Sequence, residues 1–499
     1  MMLRRLTLLA TLIPSLGFRA SAQPLPRATP EEEGISSSAI MGFLDQAEKR
    51  VEVLHSVMIV RHGHVVAEGW WSPFAAGEPH MLYSLSKSFT STAVGLAISE
   101  GKLSLDDKVL KFFPDEAPAV PSKNLEQMRV RDLLRMSSGQ SAAAIADFPF
   151  TSRKADLARV FLELPVEDVP GTHFVYNTPA AYMLSAIVQK VTGQSVLEYL
   201  KPRLFEPLGM GNPTWDASAQ GVSFGGFGLN LRTEDIAKFG LLYLDHGAWN
   251  GRQVVPAAWT REATRLQTAN GSDPASDWNQ GYGYQFWRAR HNIYRGDGAF
   301  GQFCIVVPDH DTVVAITSGT ADMPEVMNVL WETLLPALGD SALPADPAGD
   351  QRLAARLSSL ELKTVAGQAD SPTAQGVSGK RYDFPENVEH VKSVSVRFPS
   401  GADPVVSYTI GNVTGTFACG RGAWEKGALV IGTPEDRPVA VSGAWTSDDT
   451  FTLKVWKYRT PFASTYDLRF GRDSLIIEKL DNVGLTAPKR IRIVGSAAD

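Results

Sequence analysis

The chain has 499 residues, of which 44% are hydrophobic and 20% charged, with a formal net charge of -6. Such a length is too great for one typical domain and fits two, or three at most, and the composition is that of a packed protein, not a disordered or coiled-coil one. No basic run or stripe occurs, which argues against nucleic acid as a partner.

Arg4 and Arg5 precede an apolar run from Leu6 to Phe18, and the small-x-small pattern of Ala20, Ser21 and Ala22 follows. Residues 1–22 therefore read as a secretory signal, since the run is short of the ~20 residues that span a bilayer. No later segment is long and apolar enough to cross, so a periplasmic or secreted location is expected. The two cysteines, Cys304 and Cys419, fall in different expected domains and read as free, buried thiols.

Residues 33–50 combine a serine cluster with helical apolar spacing, and 55–71 alternate around a His-Gly turn as a hairpin does. A helix is predicted over 84–100, another over 130–139, and two over 179–210, the first closed by Gly193. A further helix covers 232–247 with Thr233 as its N-cap, followed by two strands near 301–319 and a closing helix near 324–338. Strand pairs at both ends of a helical middle imply an α+β domain with an antiparallel sheet over 23–340. Residues 341–376, rich in Ala, Pro, Gly and Asp, have linker composition. Short alternating runs over 377–499 predict an all-β barrel or sandwich.

The chemistry concentrates in three places. Ser84 stands three residues ahead of Lys87, so on a helix the two share a face. An isolated S-x-x-K is equally well a cap and a solvated lysine, but the following "SFTSTAVGLAI" is small or apolar on nearly every side, as in a helix buried all round. Burial would lower the lysine pKa; bringing it from about 10.4 to near 7 costs on the order of 4 to 5 kcal/mol. A neutral amine there can accept the hydroxyl proton of Ser84. Tyr176 lies at the corner between a strand-like run and a helix start, and the glycines 296, 298 and 301 precede a strand and permit close backbone approach.

In order, Ser84-Leu85-Ser86-Lys87, Tyr176-Asn177-Thr178 and Gly296-Asp297-Gly298 resemble the S-x-x-K, Y-x-N and K/H-x-G series of class C β-lactamase-like serine hydrolases and penicillin-binding proteins. The flanking text over roughly 30–338 is similar to the esterase and 6-aminohexanoate-dimer hydrolase members. This resemblance implies a β-lactamase/transpeptidase-like domain with Ser84 as nucleophile, Lys87 as base or relay, and Tyr176 shuttling a proton to the leaving group. It further implies an oxyanion hole from the backbone N–H groups of Ser84 and Ala299. Substrate contacts are expected from Asn177, Thr178, Asp297 and Gly298, with Trp278 or Tyr282 bordering an acyl pocket.

Two departures stand out. Thr178 occupies the place of the usual Asn, and Gly296 that of the usual cation, which argues against recognition of a carboxylate-bearing lactam or D-Ala-D-Ala terminus. Arg295 is one residue off, and strand alternation would turn it to the other face. The nine histidines show no metal spacing, and neither a metal nor a cofactor is expected. The expected activity is cleavage of a small ester or amide through an acyl-enzyme. A β-lactamase, a D-Ala-D-Ala carboxypeptidase, or a silent peptidoglycan-fragment sensor stand as alternatives.

Overall fold

A computed structural model describes residues 24–429 and 437–498; the expected signal segment lies outside the described residues. Ser36 caps helix α1 (Ser37–Arg50) by accepting the N–H of Ala39, and Ile40, Phe43, Leu44 and Ala47 form its buried stripe. Strands β1 (Leu54–Arg61) and β2 (His64–Trp70) form the expected hairpin. Its turn residues His62 and Gly63 both have positive φ, 47° and 80°, the twist that suits a two-residue hairpin loop.

Helix α2 (Ser86–Ser99) follows, then α3 (Thr178–Thr192) and α4 (Thr233–Leu244). Strands β3 (Trp287–Arg288), β4 (Tyr294–Gly298), β5 (Gln302–Val307) and β6 (Thr312–Ser318) complete an antiparallel sheet of order β2-β1-β6-β5-β4-β3. Alternation along β1 sends Met58 and Val60 into a core with α2, α3 and α4, and Val57 and Ile59 into a second core with α1. The sheet is thus covered on both faces. Gly193 closes α3 in the left-handed conformation, φ 71°. The N-cap of α4 is Arg232, not Thr233: the Arg232 N–H is held by Asp235, while the Thr233 hydroxyl bonds that of Ser56 at 2.8 Å.

Within 341–376, where composition predicts a linker, the chain forms helix α5 (Pro347–Ser358). Asp346 caps it and Pro347 opens it, so the residues that read as loop are a helix start. Leu353 and Leu360 are buried in the α1 core.

The C-terminal strands are β7 (Arg381–Asp383), β8 (Val391–Arg397), β9 (Val405–Ile410), β10 (Val413–Ala418), β11 (Glu425–Leu429), β12 (Arg437–Trp445), β13 (Thr450–Trp456), β14 (Ala463–Phe470), β15 (Ser474–Asp481) and β16 (Ile491–Ala497). They make one antiparallel sheet of order β10-β9-β8-β7-β16-β15-β14-β13-β12-β11, rolled into a near-barrel. Its end strands β10 and β11 lie side by side, and no ladder joins them among the described residues. The barrel docks on the first domain through Trp456, which meets Phe74 and His55 edge-on. The turn after β13 adds a hydrogen bond from the Met81 N–H to the Arg459 carbonyl, 2.9 Å, and the Arg459–Glu78 ion pair.

Candidate active site

Residues Tyr83–Leu85 form a single tight turn that runs into α2. Tyr83 has φ 49°, a conformation costly for a bulky residue and tolerated where surroundings enforce it. The Ser86 hydroxyl supplies part of that enforcement, donating to the Tyr83 carbonyl at 2.6 Å and accepting the Leu229 N–H at 3.2 Å. Ser84 is thereby presented half-buried at the rim, while Lys87, one turn on, is 1% exposed.

The Lys87 Nζ lies 2.9 Å from Ser84 Oγ, 3.2 Å from Thr178 Oγ1 and 2.8 Å from the Gly226 carbonyl. No carboxylate is among these three partners. Burial pushes the Lys87 pKa down to about 7, with the Asp297 charge opposing. A neutral amine donates two hydrogens and keeps one lone pair. The Gly226 carbonyl can only accept, so with Thr178 as second acceptor the lone pair is left facing the Ser84 hydroxyl. Gly226 is needed for this approach, since a Cβ there would stand 2.7 Å from Thr178 Cγ2.

Tyr176 covers the pair. Its ring centroid is 4.8 Å from Lys87 Nζ, its face stacks on Trp287 at 5.3 Å, and Ser84 acts on its hydroxyl. Burial raises the phenol pKa above its ordinary value and Asp297 adds to the rise, against smaller lowering by Ser84 and Arg295. At neutral pH Tyr176 is therefore a phenol, not a phenolate.

Strand β4 supplies the other wall. A Cβ at Gly298 would fall 2.0 Å from the Leu82 carbonyl and 3.1 Å from the Ser84 N, so only glycine lets β4 run against the turn. This brings the start of the half-buried Ala299 beside the Ser84 backbone.

Several expected site residues have other placements. Asn177 is fully buried as the N-cap of α3, its Oδ1 accepting the Ala180 N–H and its Nδ2 donating to Ser138 and Gln140, so it faces no substrate. The neighbouring hydroxyl of Thr178 meets the lysine instead. Asp297 is 6% exposed and paired with Arg295 at 3.0 Å. Arg295 further donates to the carbonyls of Asp277 and Arg288, so neither group is free for substrate. Both share a face opposite to Gly296, whose side looks onto Leu85 and Ser88. Tyr282 is 1% exposed and stands behind Tyr176, edge-on to Trp287. Trp278 is partly exposed and lies over the Arg295 guanidinium at 4.5 Å.

The sequence reading missed Ser86, Gly226 and an aromatic wall. Tyr83, Phe300 and Phe462 meet edge to face at 5.2 to 6.2 Å, and Phe462 comes from the turn between β13 and β14 of the barrel. The consecutive Gly225-Gly226 was a local signal for a close approach; nothing local announces Phe462.

The β-lactamase family model matches residues 48–338, more than half of the chain. The 6-aminohexanoate-dimer hydrolase of Paenarthrobacter ureafaciens is 28% identical over 320 residues, 59% of this chain and 80% of that protein. A protein of Escherichia coli strain K12, provisionally named D-alanyl-D-alanine carboxypeptidase, is 25% identical over 44% of this chain and 57% of its own length. Among solved structures, a Bacillus anthracis protein provisionally assigned as a 6-aminohexanoate-dimer hydrolase superposes with a TM-score of 0.54 at 19% identity, over 66% of this chain and 90% of that one, a likeness of fold. The chain belongs to the β-lactamase family and is a serine hydrolase of that fold.

Proposed function

We propose that the protein is an exported hydrolase that cleaves a carboxylic ester or amide through an acyl-enzyme on Ser84, with Lys87 and Tyr176 as the proton relay. The observation that carries this is a buried lysine with its pKa pushed down to about 7 and its nitrogen 2.9 Å from a half-buried serine hydroxyl. Lys87 takes the Ser84 proton as Oγ bonds to the substrate carbonyl carbon. The negative charge that develops on the carbonyl oxygen is received by the backbone N–H groups of Ser84 and Ala299. Tyr176, still a phenol, gives its proton to the departing alcohol or amine and is reprotonated from Lys87. Water then repeats the sequence on the acyl carbon, releasing the acid and restoring Ser84.

Ester or amide is favoured over lactam because position 296 offers no cation and Arg295 is engaged by Asp297 and two carbonyls. The name of the Paenarthrobacter relative adds a linear amide to the candidates. The test compares p-nitrophenyl acetate and butyrate, a linear 6-aminohexanoate dimer and a chromogenic cephalosporin on wild type and Ser84→Ala. Ester or amide turnover that vanishes in the variant supports the reading. Cephalosporin turnover exceeding both would replace it with a lactamase, and failure of a fluorophosphonate to label Ser84 in folded protein would replace it with a sensor.

A further inference from the structure

The turn that carries Phe462 is held by a side chain from another part of the barrel. Asn482, the residue after β15, has its amide filled on both sides. Its Oδ1 accepts the Ala463 N–H at 2.7 Å, while Nδ2 donates to the Pro461 carbonyl at 2.9 Å and to the Gly319 carbonyl at 3.1 Å. Carbonyls only accept and an N–H only donates, so these partners fix which way the amide points. Pro461 and Ala463 flank Phe462, and Gly319 follows β6 of the first domain. One amide thus grips the turn on either side of Phe462 and ties it to the catalytic domain.

The strand end it grips also holds Phe300. Ser318 Oγ donates to the Phe300 carbonyl at 2.6 Å, and the Thr320 N–H donates to the same oxygen at 3.3 Å. Gly319 lets the barrel come this near, because a Cβ there would stand 2.5 Å from the Pro461 carbonyl oxygen. The aromatic wall is thereby set beside both oxyanion donors, since Tyr83 precedes Ser84 and Phe300 follows Ala299. Tyr176, which serves the leaving group, stacks in another set of rings with Trp287 and Tyr282, and this leaves the wall to the acyl side.

We propose that Asn482 is a positioning residue for acyl selectivity, holding Phe462 against Tyr83 and Phe300 as one wall of a subsite for a short apolar acyl chain. This rests on the hydrolase reading of Ser84. Asn482 acts through Phe462 and not on the reacting atoms.

The experiment measures kcat and KM for p-nitrophenyl acetate and butyrate in wild type, Asn482→Asp, Phe462→Ala and the double variant, with fluorophosphonate labelling of Ser84 in each. Asn482→Asp keeps the shape and the acceptor for the Ala463 N–H, but turns an oxygen onto two carbonyls. The expected result is a KM for butyrate raised about threefold, with kcat and the KM for acetate within a factor of about two, and no further change when Phe462→Ala is added. Gly319→Ala, which pushes on the turn from the first domain, should shift the same KM and decides the matter where Asn482→Asp fails to fold. Undiminished labelling with an unshifted butyrate KM in folded variants, equal losses on acetate and butyrate, or additive effects in the double variant would each overturn the proposal alone. A wild type that neither labels nor turns over either ester would overturn the hydrolase reading together with it.

Discussion

The cleft at the head of α2 and the cavity of about 260 Å³ in the C-terminal barrel treat polarity in opposite ways. In the cleft, a hydroxyl, a carbonyl and a second hydroxyl converge on one lysine nitrogen, with no carboxylate among these three partners. In the barrel cavity most of the lining side chains are apolar, and Lys479 is paired with Glu389 and Asp481. A desolvated amine without an ion-pair partner is costly, and groups perturbed in this way cluster at functional sites. The difference teaches that the first domain sets a desolvated amine beside a serine hydroxyl, while the second surrounds apolar space.

The sharpest way to break that division is to remove the converging groups. Ser84→Ala should lower kcat/KM for p-nitrophenyl butyrate by at least about 10³-fold and abolish fluorophosphonate labelling; Lys87→Met should cost about as much, because residues acting as one unit are not additive. A double variant no worse than either single would complete the argument. Tyr176→Phe keeps the stacking on Trp287 and loses only the hydroxyl, with an expected loss in kcat of about 10²-fold, larger for amides than for activated esters whose leaving groups need no proton. Stopped-flow acylation and steady-state rates together would separate these.

Smaller effects sharpen the comparison. Thr178→Val removes one acceptor from the charged form of Lys87, which lowers its pKa further. The pH–rate profile should move to lower pH, with a loss in rate of only about 5-fold at pH 8, where the amine is neutral in both proteins. Phe462→Ala tests the contact of the barrel with Tyr83, next to Ser84 in the chain, and with Phe300 in the same wall. It should change the ratio of butyrate to acetate turnover by about 3-fold while leaving acetate turnover within a factor of about two, since a methylene in an apolar pocket is worth ~1–3 kcal/mol at most.

What the sequence made legible was the part written in local pattern. The hairpin, α1, the buried α2 and the Gly193 stop follow from spacing and caps, and so does the approach of Lys87 to Ser84, because three residues on a helix fix it. Local signals misled where one residue type serves two purposes. Asn177 looked like a substrate amide one place out of register and is a helix cap; Asp346-Pro347-Ala348-Gly349 looked like linker and opens α5. Arg295 and Asp297 were visible as charges, but only the packed strand shows that they neutralise each other under Trp278 and Trp287. Phe462 could not be foreseen at all. It reaches Tyr83 across nearly four hundred residues, through a contact that exists only once the barrel has docked.

The account rests on an amine at Lys87 that is neutral near physiological pH. Unfolded, this lysine would titrate near 10.4, so its depressed folded value also means that stability rises with pH between about 7 and 10.4. The most direct measurement is the rate of Ser84 labelling by a fluorophosphonate as a function of pH in the folded wild-type protein. The account predicts a single rise with an inflection close to 7, displaced to lower pH in Thr178→Val. A rate that is flat from pH 5 to 9, or that rises only near 10, would contradict it.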